Sequence, residues 1–218
     1  MAGSGEKREG IIEEARFEEP ENDPPGHGVV IIFTVFFEAG LAPFSLFLGW
    51  LLGHPPLAKF VWSFGDAVWG VVAALPLIAL FLAMLRWPVG PLVKVKEFCE
   101  EEIVPLFGES DWSELALIAL CAGVGEEMLF RGVLQASLTD WLGMGWGLTL
   151  ASILFGVLHP ITIFYIIIAG FLGLYLGGIW VYNGNLLTVM VTHAVYDLAA
   201  LGYLIRLRPG RGDAAEPE

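Results

Sequence analysis

Basic residues are scarce in this chain. It has 11 Lys and Arg in 218 residues, against 24 Asp and Glu, for a net charge of −13. So few cations, with no basic patch, exclude a nucleic-acid footprint. Cysteine is nearly absent: Cys99 and Cys121 are the two present. Cys121 lies inside an apolar segment, and the spacing fits neither a bridge nor a zinc knuckle, which excludes a disulfide scaffold. Charge of either sign is low, at 16%, against the roughly 25% of soluble domains. No internal repeat is visible. What fills the space is apolar: 56% hydrophobic residues and a mean hydropathy of +0.69. A soluble domain of this size could not hide that much apolar surface. The composition excludes a disordered or collagen-like chain and calls for an all-α, polytopic membrane protein.

The acidic charge is concentrated. Eight Asp and Glu lie in 1–28 and seven more between Glu97 and Glu114. Residues 1–28 are also rich in Pro and Gly and cannot bury enough apolar area to offset ordering. They are expected to be a disordered acidic tail and not a signal peptide, because the first apolar run starts only at Val29. Six segments approach the ~20 residues a bilayer core requires: 29–52, 67–87, 112–138, 141–159, 161–182 and 185–206. The fourth and fifth are separated only by the His159-Pro160 neighbourhood and are expected to form a tight hairpin. Residues 88–111 read as a connecting loop with a short amphipathic helix, and 207–218 as a polar tail. The division expected is two accessory spans and their loop over 29–111, then a membrane core over 112–206 containing a four-helix catalytic unit.

Lys and Arg set the orientation. With six spans, both tails and the even loops share one side, which holds Lys7, Arg8, Arg16, Arg86, Lys94, Lys96, Arg206, Arg208 and Arg211. Lys59 alone is on the other side, and Arg131 lies within the third span. The asymmetry places both termini in the cytoplasm, with the cell membrane as the expected location. Trp50, Trp87, Trp112, Trp141 and Trp180 fall near span ends, as an interfacial belt would. Gly170, Gly173, Gly177 and Gly178 mark a close-packing face on the fifth span.

A charge at the bilayer centre costs at least ~2.5–3.5 kcal/mol on insertion scales, so such groups need a partner or a purpose. The intramembrane set is Glu38, Glu126, Glu127, Arg131, His159, His193 and Asp197. Glu127 and Arg131 are four apart on a helix and can pair. Glu126 points about 100° away and has no Arg at that spacing. A lone carboxyl where water is scarce is suited to exchange a proton as a general base or acid. The competing reading is one buried ion network that only fixes packing. Phe155 and His159 share a helical face, and so do His193 and Asp197. The Asp197 carboxylate can fix the imidazole tautomer and leave the other nitrogen facing a cavity. Glu38, ahead of Gly40 and Pro43 where a helix would kink, reads as lining a cavity edge.

Three motifs therefore stand in order: Glu126-Glu127-Met128-Leu129-Phe130-Arg131, Phe155-Gly156-Val157-Leu158-His159 and His193-Ala194-Val195-Tyr196-Asp197. Together they resemble the CAAX-protease and bacteriocin-processing family (CPBP, also called ABI) of intramembrane proteases, over about 112–205. The resemblance implies a glutamate-dependent endopeptidase acting on a membrane-associated protein or peptide, with prenylated proteins as one substrate class. It further implies that Glu126 and His159 activate a water and that His193 and Asp197 face the oxyanion. Glu127, Arg131 and Phe155 would support the site. The family also allows Asn at position 197, and an ionised Asp would repel an oxyanion. The expectation is that Asp197 orients His193 while the ring N–H donates.

No cofactor is expected. Were a divalent metal such as zinc present, Glu126, His159, His193 and Asp197 would be its ligands, although no H-E-x-x-H helix is found. The alternatives to an enzyme are a membrane scaffold that binds a partner, an ion-coupled carrier, and a b-type haem protein ligated by His159 and His193. A straight count along the spans sets Glu126 near mid-membrane, His159 near the cytoplasmic end and His193 towards the opposite one. They meet only if helices are tilted or offset around a water-filled cavity.

Overall fold

The computed structural model describes residues 26–207. Most of the tails expected over 1–28 and 207–218 lies outside the described residues. Helix α1 runs from His27 to Leu52 and continues through Pro43, so no break follows Glu38. Helix α2, Phe64–Arg86, starts on a Ser63 side chain that accepts from the Asp66 N–H. Both are apolar over most of their length, and Phe33, Phe36, Phe37 and Trp50 of α1 are exposed, as lipid-facing residues are.

The connection over 88–111 is more helical than the sequence suggests. Helix α3, Leu92–Phe98, runs through a π-helical stretch, Cys99–Ile103, into α4, Val104–Phe107. Cys99 and Phe107 pack into a core with Val30, Leu115 and Ile205. That apolar side orders a segment whose acidic residues alone suggested a loop.

Helix α5, Trp112–Glu127, begins with a capping box. Asp111 accepts from the Ser113 and Glu114 N–H groups, and Glu114 accepts in turn from the Asp111 N–H at 3.0 Å. Such a box satisfies orphan donors at the helix start. The helix passes into a π-helical stretch, Met128–Gln135, and then α6, Ala136–Leu142. Gly143 turns the chain at φ 86°, a conformation open to glycine. Helix α7, Met144–Val157, returns alongside. Helix α8, Ile163–Asn183, packs along α7 and completes the expected hairpin. Helix α9, Leu186–Gly202, lies against α2 and α5 and ends in a π-helical stretch, Tyr203–Leu207. At the α8–α9 turn, Asn183 and Asn185 donate to the two Asp66 oxygens at 3.0 and 2.8 Å, which ties α2 to that turn.

Four helices are long and apolar enough to cross a membrane: His27–Leu52, Phe64–Arg86, Ile163–Asn183 and Leu186–Leu207. The chain is an integral membrane protein with a polytopic helical bundle. The other two expected spans differ in kind. The third is one continuous helical run with Glu126, Glu127 and Arg131 at its centre. The fourth, α7, has 14 residues and reaches about 21 Å, short of the ~30 Å core. Its short reach matters for the site.

Two packing expectations are corrected. Trp180 is buried, 7% exposed, under the Lys59 ammonium at 5.2 Å from its ring, so it is not part of an interfacial belt. A methyl group at Gly178 would meet nothing within 4 Å, whereas one at Gly173 or Gly177 would press on Ser152 or Gln135. The close-packing face of α8 therefore excludes Gly178.

Candidate functional site

The site is built where α5 gives way to π geometry, a change that often accompanies functional sites. Glu127 is the last residue of α5 and wholly buried. Its Oε1 accepts from Arg131 Nη1 at 2.9 Å, as the spacing predicts. The same oxygen also accepts from His193 Nδ1 at 2.8 Å, a link between α5 and α9 that no local spacing reveals. Arg131, 2% exposed, donates through Nη2 to the Gly173 carbonyl of α8 at 3.0 Å. Its guanidinium stacks 4.8 Å from the centre of the Phe155 ring. Glu127 and Arg131 thus join α5, the π stretch, α7, α8 and α9 at one point.

Glu126 is 8% exposed, and its Oε2 has no hydrogen-bond partner among the described residues. Its nearest basic group is His159, with Nε2 3.8 Å from Oε2. That distance is too long for a direct hydrogen bond and invites a bridging water. The other ring nitrogen settles the tautomer. Nδ1 lies 2.7 Å from the Phe155 carbonyl, which can only accept, so Nδ1 carries the proton. Nε2 is then an acceptor turned towards Glu126. Phe155 lies 4.7 Å from the His159 ring centre and 4.8 Å from that of Phe130, walling this side with aromatic surface.

His159 thus meets Glu126, although straight spans would separate them in depth. The short α7 supplies the reason. Counted back from the turn at Gly143, an antiparallel partner brings residue 159 level with residue 127. The helix stops there instead of crossing.

His193 departs from expectation. Asp197 Oδ2 lies 3.4 Å from Nε2, while Glu127 takes Nδ1. Both ring nitrogens face carboxylates, and neither is left free towards a cavity. The Nε2 contact is long, so that nitrogen is weakly engaged. Asp197 borders a cavity of about 220 Å³ between α2, α3, α8 and α9. Its walls are mostly apolar, among them Leu77, Phe81, Val95 and Leu172, with Tyr165 and Tyr196 as polar-tipped exceptions. A second cavity of about 270 Å³, beside Lys59 and Asp140, includes none of the three-motif polar residues.

Glu38 belongs to this neighbourhood. A methyl group at Gly125 would collide with the Glu38 carbonyl, so α1 crosses α5 in backbone contact beside Glu126. The Glu38 carboxyl is within electrostatic reach of Glu126, His193 and Asp197. The sequence signal was a charge inside an apolar run; its place required knowing that α1 packs on α5.

Among the described residues, no three His, Cys, Asp or Glu side chains converge to hold a metal ion. His193 is turned towards Glu127 and Asp197, so the four proposed ligands do not share one focus.

Residues 108–199 match the family model described as type II CAAX prenyl endopeptidase Rce1-like. No curated protein and no solved structure matches the chain.

Proposed function

From the match of residues 108–199 to the Rce1-like family model, together with the site geometry, we propose that the chain is a CAAX-type intramembrane endopeptidase that uses a Glu/His-activated water. One observation carries the reading. Glu126 Oε2 and His159 Nε2 face each other at 3.8 Å, and neither has a protein donor among the described contacts. Two acceptors at that separation need a donor between them. A water ~2.8 Å from each satisfies both at once with its two O–H groups.

Glu126 takes one proton as the water oxygen attacks the scissile carbonyl carbon. His159 fixes the direction of the second O–H. The carbonyl oxygen becomes an oxyanion, and the weakly held His193 Nε2–H turns to it, because a full negative charge is the stronger acceptor. Asp197 and Glu127 hold the His193 ring from its two nitrogens, while Arg131 keeps Glu127 in place. The apolar cavity beside Asp197 suits the apolar part of a membrane-associated or prenylated substrate. It lies on the side of Lys94 and Lys96, which the charge asymmetry assigns to the cytoplasm, along with both termini. The cell membrane is the proposed location. The reaction needs no metal, and chelation with phenanthroline is expected to leave the rate unchanged. Metal-dependent activity would overturn that part of the scheme.

The test compares new protein N-termini in membranes from cells expressing the wild type or Glu126→Gln. Termini that require Glu126 are expected, and they also name the substrates. Identical profiles at matched expression would instead favour a partner-binding scaffold or a carrier.

A further inference from the structure

Glu38 has no assignment in the scheme above, and it lies in α1, outside the family match. Yet α1 touches α5 at Gly125, next to Glu126, through the backbone of Glu38 itself. Glu38 Oε2 is buried with no hydrogen-bond partner among the described residues. An orphaned buried carboxyl oxygen is costly unless something else uses it.

The titratable groups within electrostatic reach of its carboxyl come from two elements. Helix α5 presents Cys121 and Glu126, and α9 presents His193 and Asp197. Glu127 differs in that its Oε1 is held by both Arg131 and His193, the first an ion pair that offsets its charge. Three carboxyl groups, Glu38, Glu126 and Asp197, therefore share one water-poor neighbourhood. Peptide hydrolysis needs a proton for the departing amine, which either the group that took it from water or a second acid on the leaving-group side can supply. Asp197 is turned to His193 Nε2 and Glu126 to His159. Glu38 is the one of the three with no ion-pair contact among the described residues, and it approaches from another helix.

We propose that Glu38 is the general acid of the reaction, handing its proton to the departing amine. The inference rests on the endopeptidase reading. In the step, the water oxygen bonds to carbon and one water proton goes to Glu126. The C–N bond then breaks as the Glu38 proton bonds to nitrogen. After the amine leaves, the proton on Glu126 returns to Glu38 through water, and both groups are restored.

The leaving group provides the test. A peptide spanning a Glu126-dependent cleavage junction is compared with a p-nitrophenyl ester of the same acyl segment, using the full chain in lipid nanodiscs. p-Nitrophenolate departs without a proton. Glu38→Gln is expected to lower kcat for the peptide on the order of 10²-fold, with KM little changed, and to slow the ester far less. Glu38→Asp, which keeps an acid, should recover part of the peptide rate. Glu126→Gln should abolish both reactions. Equal losses on peptide and ester in Glu38→Gln, or no loss on either, would overturn the assignment. If the wild type cleaves neither in a Glu126-dependent way, the endopeptidase reading itself fails, a result distinct from either of these.

Discussion

Glu127 and Arg131 show how one buried pair fixes several helices. The pair is sealed from water, and Arg131 also needs the Gly173 carbonyl and the Phe155 face. Removing one partner leaves the other as an uncompensated buried charge, which costs ~3–5 kcal/mol. Glu127→Gln and Arg131→Met should each lower the thermal midpoint in detergent by several degrees. An unchanged midpoint would mean that the pair contributes little to packing. A different outcome belongs to His193 and Asp197. The ring keeps its short Nδ1 bond to Glu127 whatever occupies position 197. Asp197→Asn should thus retain substantial turnover, whereas His193→Ala loses most of it. The opposite ranking, measured on one substrate, would make Asp197 the oxyanion-facing group.

Several helices meet through glycine, and α2, α5, α8 and α9 are started by side-chain caps. Gly156 of α7 lies against the backbone of α8, where a methyl group would press on the Ile166 carbonyl and on Gly170. Gly156→Ala should separate α7 from α8 and displace His159 from Glu126, costing ~1–3 kcal/mol and most of the activity. Gly178→Ala, with open space around it, should be neutral by the same unfolding measurement. The cap of α5 predicts a pH effect. The Ser113 hydroxyl, and next the Glu114 N–H, hold Asp111 below the usual carboxylate range. A depressed folded-state value means the contribution is complete above the unfolded carboxylate value. It is lost as pH falls through the lower folded one. Stability followed from neutral to acid pH should show that loss in the wild type and a smaller one in Asp111→Ala.

At the scale of the molecule, the lipid-facing helices carry exposed Phe and Trp, while the polar groups are drawn inward around α5 and α9. The inward set comes from α1, α5, the π stretch, the end of α7 and α9, so the site needs the whole bundle. The basic loops predict an orientation that labelling can test. With Cys99 and Cys121 replaced by alanine, Lys59→Cys should react with an impermeant maleimide in intact cells. Lys96→Cys should react only after permeabilisation. The reverse pattern would invert the protein and place the cavity beside Asp197 outside.

The sequence by itself determined the membrane class, the Glu127–Arg131 pair and the unpaired state of Glu126, because these rest on composition and on spacing within one helix. It also set out the three motifs in order. Only the tertiary structure decided who meets whom between helices. His193 bonding to Glu127, Arg131 reaching Gly173 and Glu38 arriving beside Glu126 are contacts between segments from 42 to roughly 90 residues apart, and helical periodicity says nothing across such distances. Depth was likewise hidden. A straight count assumed that each apolar segment crosses the bilayer, but α7 stops after 14 residues, and the turn at Gly143 sets residue 159 level with residue 127.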